Sequence, residues 1–175
     1  MQPKADQLRS IFSDFGKFHQ ACSPLVQSVY GLDEQRAYMC AAPMLCTMDA
    51  AYFDGASLQW LAYHIGDMNH KIGVKVKMDD MQIADLARSI RNEFGFLKTS
   101  EVMRFFYRLK DGHYGEFFGI VDKQRIMRAL RGKFLDERAS WLRRHENEAK
   151  ERERERWARE AATPEQIEEI MRKFK

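Results

Sequence analysis

The chain is short of the residues that would make it a disulfide-framed, fibrous or membrane-spanning protein. Three cysteines in 175 residues cannot all pair within one chain, so a disulfide framework is excluded and a reducing cytoplasm is the expected location. Four prolines and ten glycines are too few for a loop-rich or collagen-like chain. The longest stretch free of Asp, Glu, Lys and Arg runs only from Phe18 to Leu32 and contains a proline and a glycine. A membrane-spanning helix needs about 18 to 20 apolar residues, so no membrane segment is expected. The first residues, Met1 to Arg9, lack the apolar core of a secretory signal.

What is present is an ordinary globular composition, 45% hydrophobic and 31% charged, enough to form one core. Net charge is +3, unevenly laid out. Residues 98–144 hold twelve Lys or Arg against six Asp or Glu, while residues 1–70 are net acidic. A local excess of this size attracts a phosphate backbone or an acidic protein surface; the plainer reading is a solvated helix face.

Apolar spacing predicts an all-α chain, a helical bundle of about five or six helices. Leu8, Ile11, Phe12 and Phe15 fit one helical stripe. Asp33 is placed to cap a helix over 34–40, and Leu58, Leu61, Ile65 and Met68 mark another. Residues 74–77 alternate too briefly for a strand and read as a linker. Asp79 with Gln82 forms a capping-box start for the stripe Ile83, Leu86, Ala87, Ile90 and Phe94. Thr99 or Ser100 caps the next, with Val102, Phe105, Phe106 and Leu109 inward, giving an αα-hairpin. After a segment with three glycines, Asp122 caps a long helix with Ile126, Met127, Leu130 and Phe134 inward and packing that continues to Trp141 and Leu142.

Residues 143–156 hold no apolar side chain but Ala149, and Glu146–Lys150, Glu148–Arg152 and Glu155–Arg159 are i, i+4 pairs. Thr163-Pro164-Glu165-Gln166 then starts a helix with Ile167, Ile170, Met171 and Phe174 on one face. The organisation expected is a helical body over 1–144 with its basic part at 98–144, a charged projecting helix over 145–162 and a terminal amphipathic helix over 163–175.

No phosphate-binding loop, dinucleotide fingerprint or nucleophile elbow occurs, and Cys22, Cys40, Cys46, His64, Asp67 and His70 lack metal-ligand spacing. Neither catalysis nor a metal or other cofactor is therefore expected. The partner expected is DNA, single- or double-stranded, held through Arg104, Arg108, Lys110, Tyr114, Arg125, Arg128, Arg131 and Lys133. Positions 125, 128 and 131 lie three apart and can form a continuous stripe. Tyr107, Tyr114 and Phe117 are candidate stacking surfaces, whereas Phe105 and Phe106 fall on the core stripe. Gly112-His113-Tyr114-Gly115 has the Gly-x-x-Gly spacing of a backbone clamp, but two glycines at that spacing are common and a turn whose glycines supply positive φ is the plainer reading. The hairpin could also place a groove-reading helix exposing Glu101, Arg104, Arg108 and Lys110. The rival to a nucleic-acid role is a protein-interaction module, adaptor or inhibitor, acting through Ile167, Ile170, Met171 and Phe174. A third reading is homo-oligomerisation through that helix or the charged rod.

The run Met81-Gln82-Ile83, Ala87, Ile90, Leu97, Glu101, Phe105-Phe106, Arg108, Lys110, Gly112, then Tyr114-Gly115-Glu116-Phe117-Phe118-Gly119, Ile126, Leu130 and Glu137-Arg138 resembles a group of small uncharacterised proteins encoded by phages and conjugative elements of anaerobic gut bacteria. The resemblance covers roughly residues 58–160 and leaves the first 57 unassigned. It implies no catalytic or binding residue. Its mobile-element setting implies a nucleic-acid transaction, such as a replication accessory or helicase-loader-like adaptor.

Overall fold

A computed structural model of the chain describes residues 5–161 and Arg172. Among these the expected all-α fold is what is found, in ten α-helical segments rather than five or six. The difference lies at the amino end. There α1 (Ala5–Ile11), α2 (Phe15–Ala21), α3 (Gln27–Gly31), α4 (Glu34–Met39) and α5 (Leu45–Ala51) are each seven residues or fewer. Helices of two turns or less cannot display a repeating stripe, so periodicity does not resolve them. The apparent stripe from Leu8 to Phe15 is broken: α1 ends at Ile11, and Asp14 caps α2 by accepting from the Lys17 amide at 2.9 Å.

The longer elements follow the sequence. Helix α6 (Ala56–Lys71) buries Trp60, Leu61, Ile65 and Met68, and packs against α5, α7 and α8. Helix α7 (Asp80–Phe94) has the expected capping box, the Gln82 amide donating to Asp79 Oδ1 at 2.8 Å and the Asp79 amide to Gln82 Oε1 at 3.0 Å. Its face Leu86, Ala87, Ile90 and Phe94 is buried. Helix α8 (Thr99–Lys110) starts one residue earlier than expected. Thr99 and Ser100 are already helical, and Glu101 accepts from the Lys98 amide at 2.9 Å. Helix α9 (Lys123–Ala129) is capped by Asp122, packs on α7, and passes through a π-helical turn, Leu130–Phe134, into α10 (Leu135–Glu160). Ile126, Met127, Leu130 and Phe134 are all buried.

The segment expected to be a linker pairs instead. Val76 donates its amide to Gly119 O at 3.0 Å and accepts from the Val121 amide at 3.1 Å, a single parallel bridge to Ile120. Gly112, Gly115 and Gly119 all have positive φ, so the glycine spacing of this segment is that of a turn.

The chain divides into two compact units, Met1–Asp136 and Glu137–Lys175. Within the second, every side chain from Glu146 to Glu160 is exposed, and the expected Glu146–Lys150 and Glu155–Arg159 pairs form at 2.6 and 4.0 Å. No helix among the described residues is long and apolar enough to cross a membrane.

Candidate nucleic-acid interface

The basic residues picked from the sequence have two different fates within the first unit. Arg104 is 2% exposed. It donates to Gly31 O at 2.7 Å and pairs with Glu34 at 2.9 Å, satisfying a carbonyl left open at the end of α3. Close approach of α3 to α8 makes this reach possible, since a Cβ on Gly31 would overlap the Tyr107 ring. Lys98 does the same for α4, donating to Tyr38 O at 2.7 Å and Cys40 O at 3.1 Å. Lys110 pairs with Asp67 at 2.7 Å, and Lys71 reaches the same carboxylate at 2.8 Å. Burial alone would push Asp67 up, but the two lysines outweigh it and hold the carboxyl below its ordinary value.

Expectations for four residues are thereby corrected. Arg104 is an internal structural cation, and Glu101, expected on the exposed face of α8, is fully buried. Tyr114 is 5% exposed and stacks on Phe105 at 5.3 Å, so its ring belongs to the core. Lys110 is held between α6 and α8 and does not stand in solvent as a phosphate contact would. Arg108 is half-buried, donating to His113 Nε2 with its guanidinium over the Tyr114 ring. These positions also deprive α8 of the exposed groove-reading face.

The remaining cations sit on α9 and its π turn, and the expected stripe splits into two faces. One faces α7. A groove of about 880 Å³ is lined by Ser89, Asn92 and Glu93 of α7 and by Lys123, Gln124, Met127, Arg128, Arg131 and Gly132. Arg128 is exposed there and forms no ion pair among the described residues. Arg131 grips Glu93 with two hydrogen bonds, 2.5 and 2.6 Å, and Lys123 reaches Asp85 at 2.5 Å. Both carboxyls are held below their ordinary range by these cations. The other face meets the glycine loop. Arg125 lies 5.7 and 5.5 Å from the ring centroids of Phe117 and Phe118, and Lys133 donates to Tyr114 O at 3.3 Å.

A second hollow of the same volume is lined by Asp33, Glu34 and Asp111 as well as Arg104 and Arg108, so its acids outnumber its cations. The α7–α9 groove holds three cations against one acid and is the better anion site. Phe118, 74% exposed beside Arg125, is not among the stacking surfaces expected from the sequence. Its signal was present as an apolar residue outside any helical stripe.

A family model matches residues 77–172, more than half of the sequence. The chain belongs to DUF6633, a family of unknown function. The match takes in α7, the glycine loop, α9 and α10, and so the whole groove, while α1–α6 lie outside it. No match to the chain was found among curated proteins or among solved structures. Among the described residues no group of three or more His, Cys, Asp or Glu side chains could hold a metal ion. Ile167, Ile170, Met171 and Phe174, expected to bind a partner, lie outside the described residues.

Proposed function

We propose that this DUF6633 member is a non-enzymatic accessory or adaptor protein that binds nucleic acid through the phosphates, using the α9 edge. The observation that carries the reading is Arg128, exposed in the α7–α9 groove and free of any ion pair among the described residues, with Lys123 and Arg131 lining the same groove. Each phosphate neutralised releases condensed counterions, so a short row of exposed cations is sufficient for salt-sensitive binding. The π turn at Leu130–Phe134 adds support, because such bulges concentrate at functional sites and this one carries Arg131 and Lys133. A phage or conjugative-element origin, a replication-accessory setting and a cytoplasmic location form part of the same proposal.

The test is fluorescence anisotropy with labelled single-stranded and duplex DNA at low and near-physiological salt. Wild type is expected to bind with a steep salt dependence. The Arg125→Ala/Arg128→Ala/Arg131→Ala variant is expected to fold normally and to lose about one unit of salt slope for each phosphate contact removed. Unchanged affinity in that variant would refute the assignment.

A further inference from the structure

The loop between α8 and α9 carries an aromatic ring where packing gives no reason for one. Its bridge pairs Ile120 with Val76 immediately after Gly119, whose φ of +76° bends the chain there. Phe118 stands just before that bend, and Ile120 sits beside Val76 just after it. All three are exposed, Phe118 at 74%. A phenylalanine normally buries most of its surface, so a ring left this bare is costly unless something covers it. The loop is not loose. Besides the bridge, the Tyr114 ring is anchored in the core, Lys133 holds the Tyr114 carbonyl, and Arg125 lies against both Phe117 and Phe118. Arg125 also fills the space beside Gly115, its Nη2 3.2 Å from where a Cβ would stand, at a residue with φ of +109°.

A bare ring could receive an apolar side chain from a protein, but here a cation lies against it. Arg125 lies over the ring itself and Arg128 follows one turn later on α9, while of the loop's acids, Asp111, Glu116 and Asp122, the last is taken up as the α9 cap. Aromatic faces bordered by arginine are how single strands are held, a base on the ring and phosphates on the cations. Duplex bases are stacked on one another and cannot reach such a ring.

We infer that Phe118 is a base-stacking platform, so that the nucleic acid bound along α9 is single-stranded, with a base laid on the Phe118 ring and the neighbouring phosphates on Arg125 and Arg128. This deepens the function proposed above and rests on it.

The experiment compares full-length wild type, Phe118→Leu and Phe118→Trp by anisotropy. The probes are a fluorescein-labelled oligothymidine of about 15 nucleotides, within the span of common single-strand sites, and a duplex of equal length. Leucine keeps the apolar bulk and removes the π face, and since the ring is exposed neither change endangers the fold. Wild type should prefer the single strand, and Phe118→Leu should weaken that binding by roughly 5- to 150-fold, the worth of one stacked base, while leaving duplex binding unchanged. Phe118→Trp should restore it. Single-strand affinity unchanged in Phe118→Leu, or a wild-type preference for duplex, overturns the platform while leaving phosphate binding at α9 standing. Equal losses on both probes would mean that the ring supports the surface and does not stack, and would also overturn it. Absence of binding to either probe removes this inference together with the function it rests on.

Discussion

The two ends of the basic stretch contain the same residue types and use them in opposite ways. In α8 the cations turn inward, Arg104 to the end of α3 and Lys110 to Asp67, with Lys98 just before it reaching the end of α4. In α9 they stay at the surface, Arg128 fully so. The difference is one of neighbours. Helix α8 is packed against α3, α4 and α6, and two of these present open C-terminal carbonyls that need donors. Helix α9 packs on α7 beside an open groove, and the α7 groups lining that groove with it are Ser89, Asn92 and Glu93. Positive charge counted along a sequence is therefore not positive charge at a surface. Here three of the twelve cations counted over residues 98–144, Lys98, Arg104 and Lys110, hold helices together.

The sharpest way to break this comparison is to truncate one arginine from each end. Arg104→Ala leaves the Gly31 carbonyl without its buried donor and Glu34 without its partner. Glu34 is partly exposed and can rehydrate, so the expected loss is about 3 kcal/mol of stability, below the full cost of orphaning a buried charge. Arg128→Ala should leave the melting temperature where it is and lower nucleic-acid affinity. Thermal melts and anisotropy on both variants decide it. If Arg104→Ala melted like wild type, or Arg128→Ala melted well below it, the division into internal and surface cations would fail.

Next in size is a pH effect confined to the interior. His64 is completely buried, accepting from Gln27 Nε2 at Nδ1 (2.6 Å) and donating from Nε2 to Cys22 O at 2.9 Å. That pattern needs the neutral ring, and burial pushes its pKa down to about 3, outweighing the favourable Cys22 carbonyl and the attraction of Asp67. In the unfolded chain the ring regains its ordinary value of 6.5. The unfolded state then binds the extra proton, so stability is complete above pH 6.5 and is lost progressively as pH falls toward 3. Each pH unit in that window costs a factor of about ten in the folding equilibrium. Urea titrations at pH 7, 6 and 5 are the check, with His64→Gln expected to flatten the slope. A wild type equally stable at pH 7 and pH 5 would mean that His64 is not held neutral.

How much of this was legible beforehand follows the range of the interactions. The caps Asp33, Asp79 and Asp122 could be read directly because each bonds within three residues. The stripes of α7 and α9 were legible for the same reason. What could not be read are contacts across 60 residues or more, such as Arg104 with Gly31 and Lys98 with Tyr38, which decide whether a cation is inside or outside. Phe118 is the intermediate case. It lies next to the bridge between Ile120 and Val76, and a two-bond bridge leaves no alternating pattern long enough to recognise.

The smallest expected effect sharpens the surface side. Glu93 is the one acid lining the α7–α9 groove, and its two hydrogen bonds to Arg131 occupy a cation that phosphate would otherwise meet. Glu93→Gln keeps the shape of the side chain and removes its charge, so Arg131 is released at little cost to an exposed pair. If the groove carries phosphate contacts, the variant should bind a labelled strand a few-fold more tightly at low salt, and its salt slope should steepen by up to about one unit as one more cation is engaged. The gain should fade near physiological salt, because exposed charges are screened there. A tighter affinity with an unchanged slope would point to relief of repulsion without a new contact, and would place the bound phosphates on the Arg125 side of α9. An affinity indifferent to Glu93 at every salt concentration would remove the groove from the binding surface altogether.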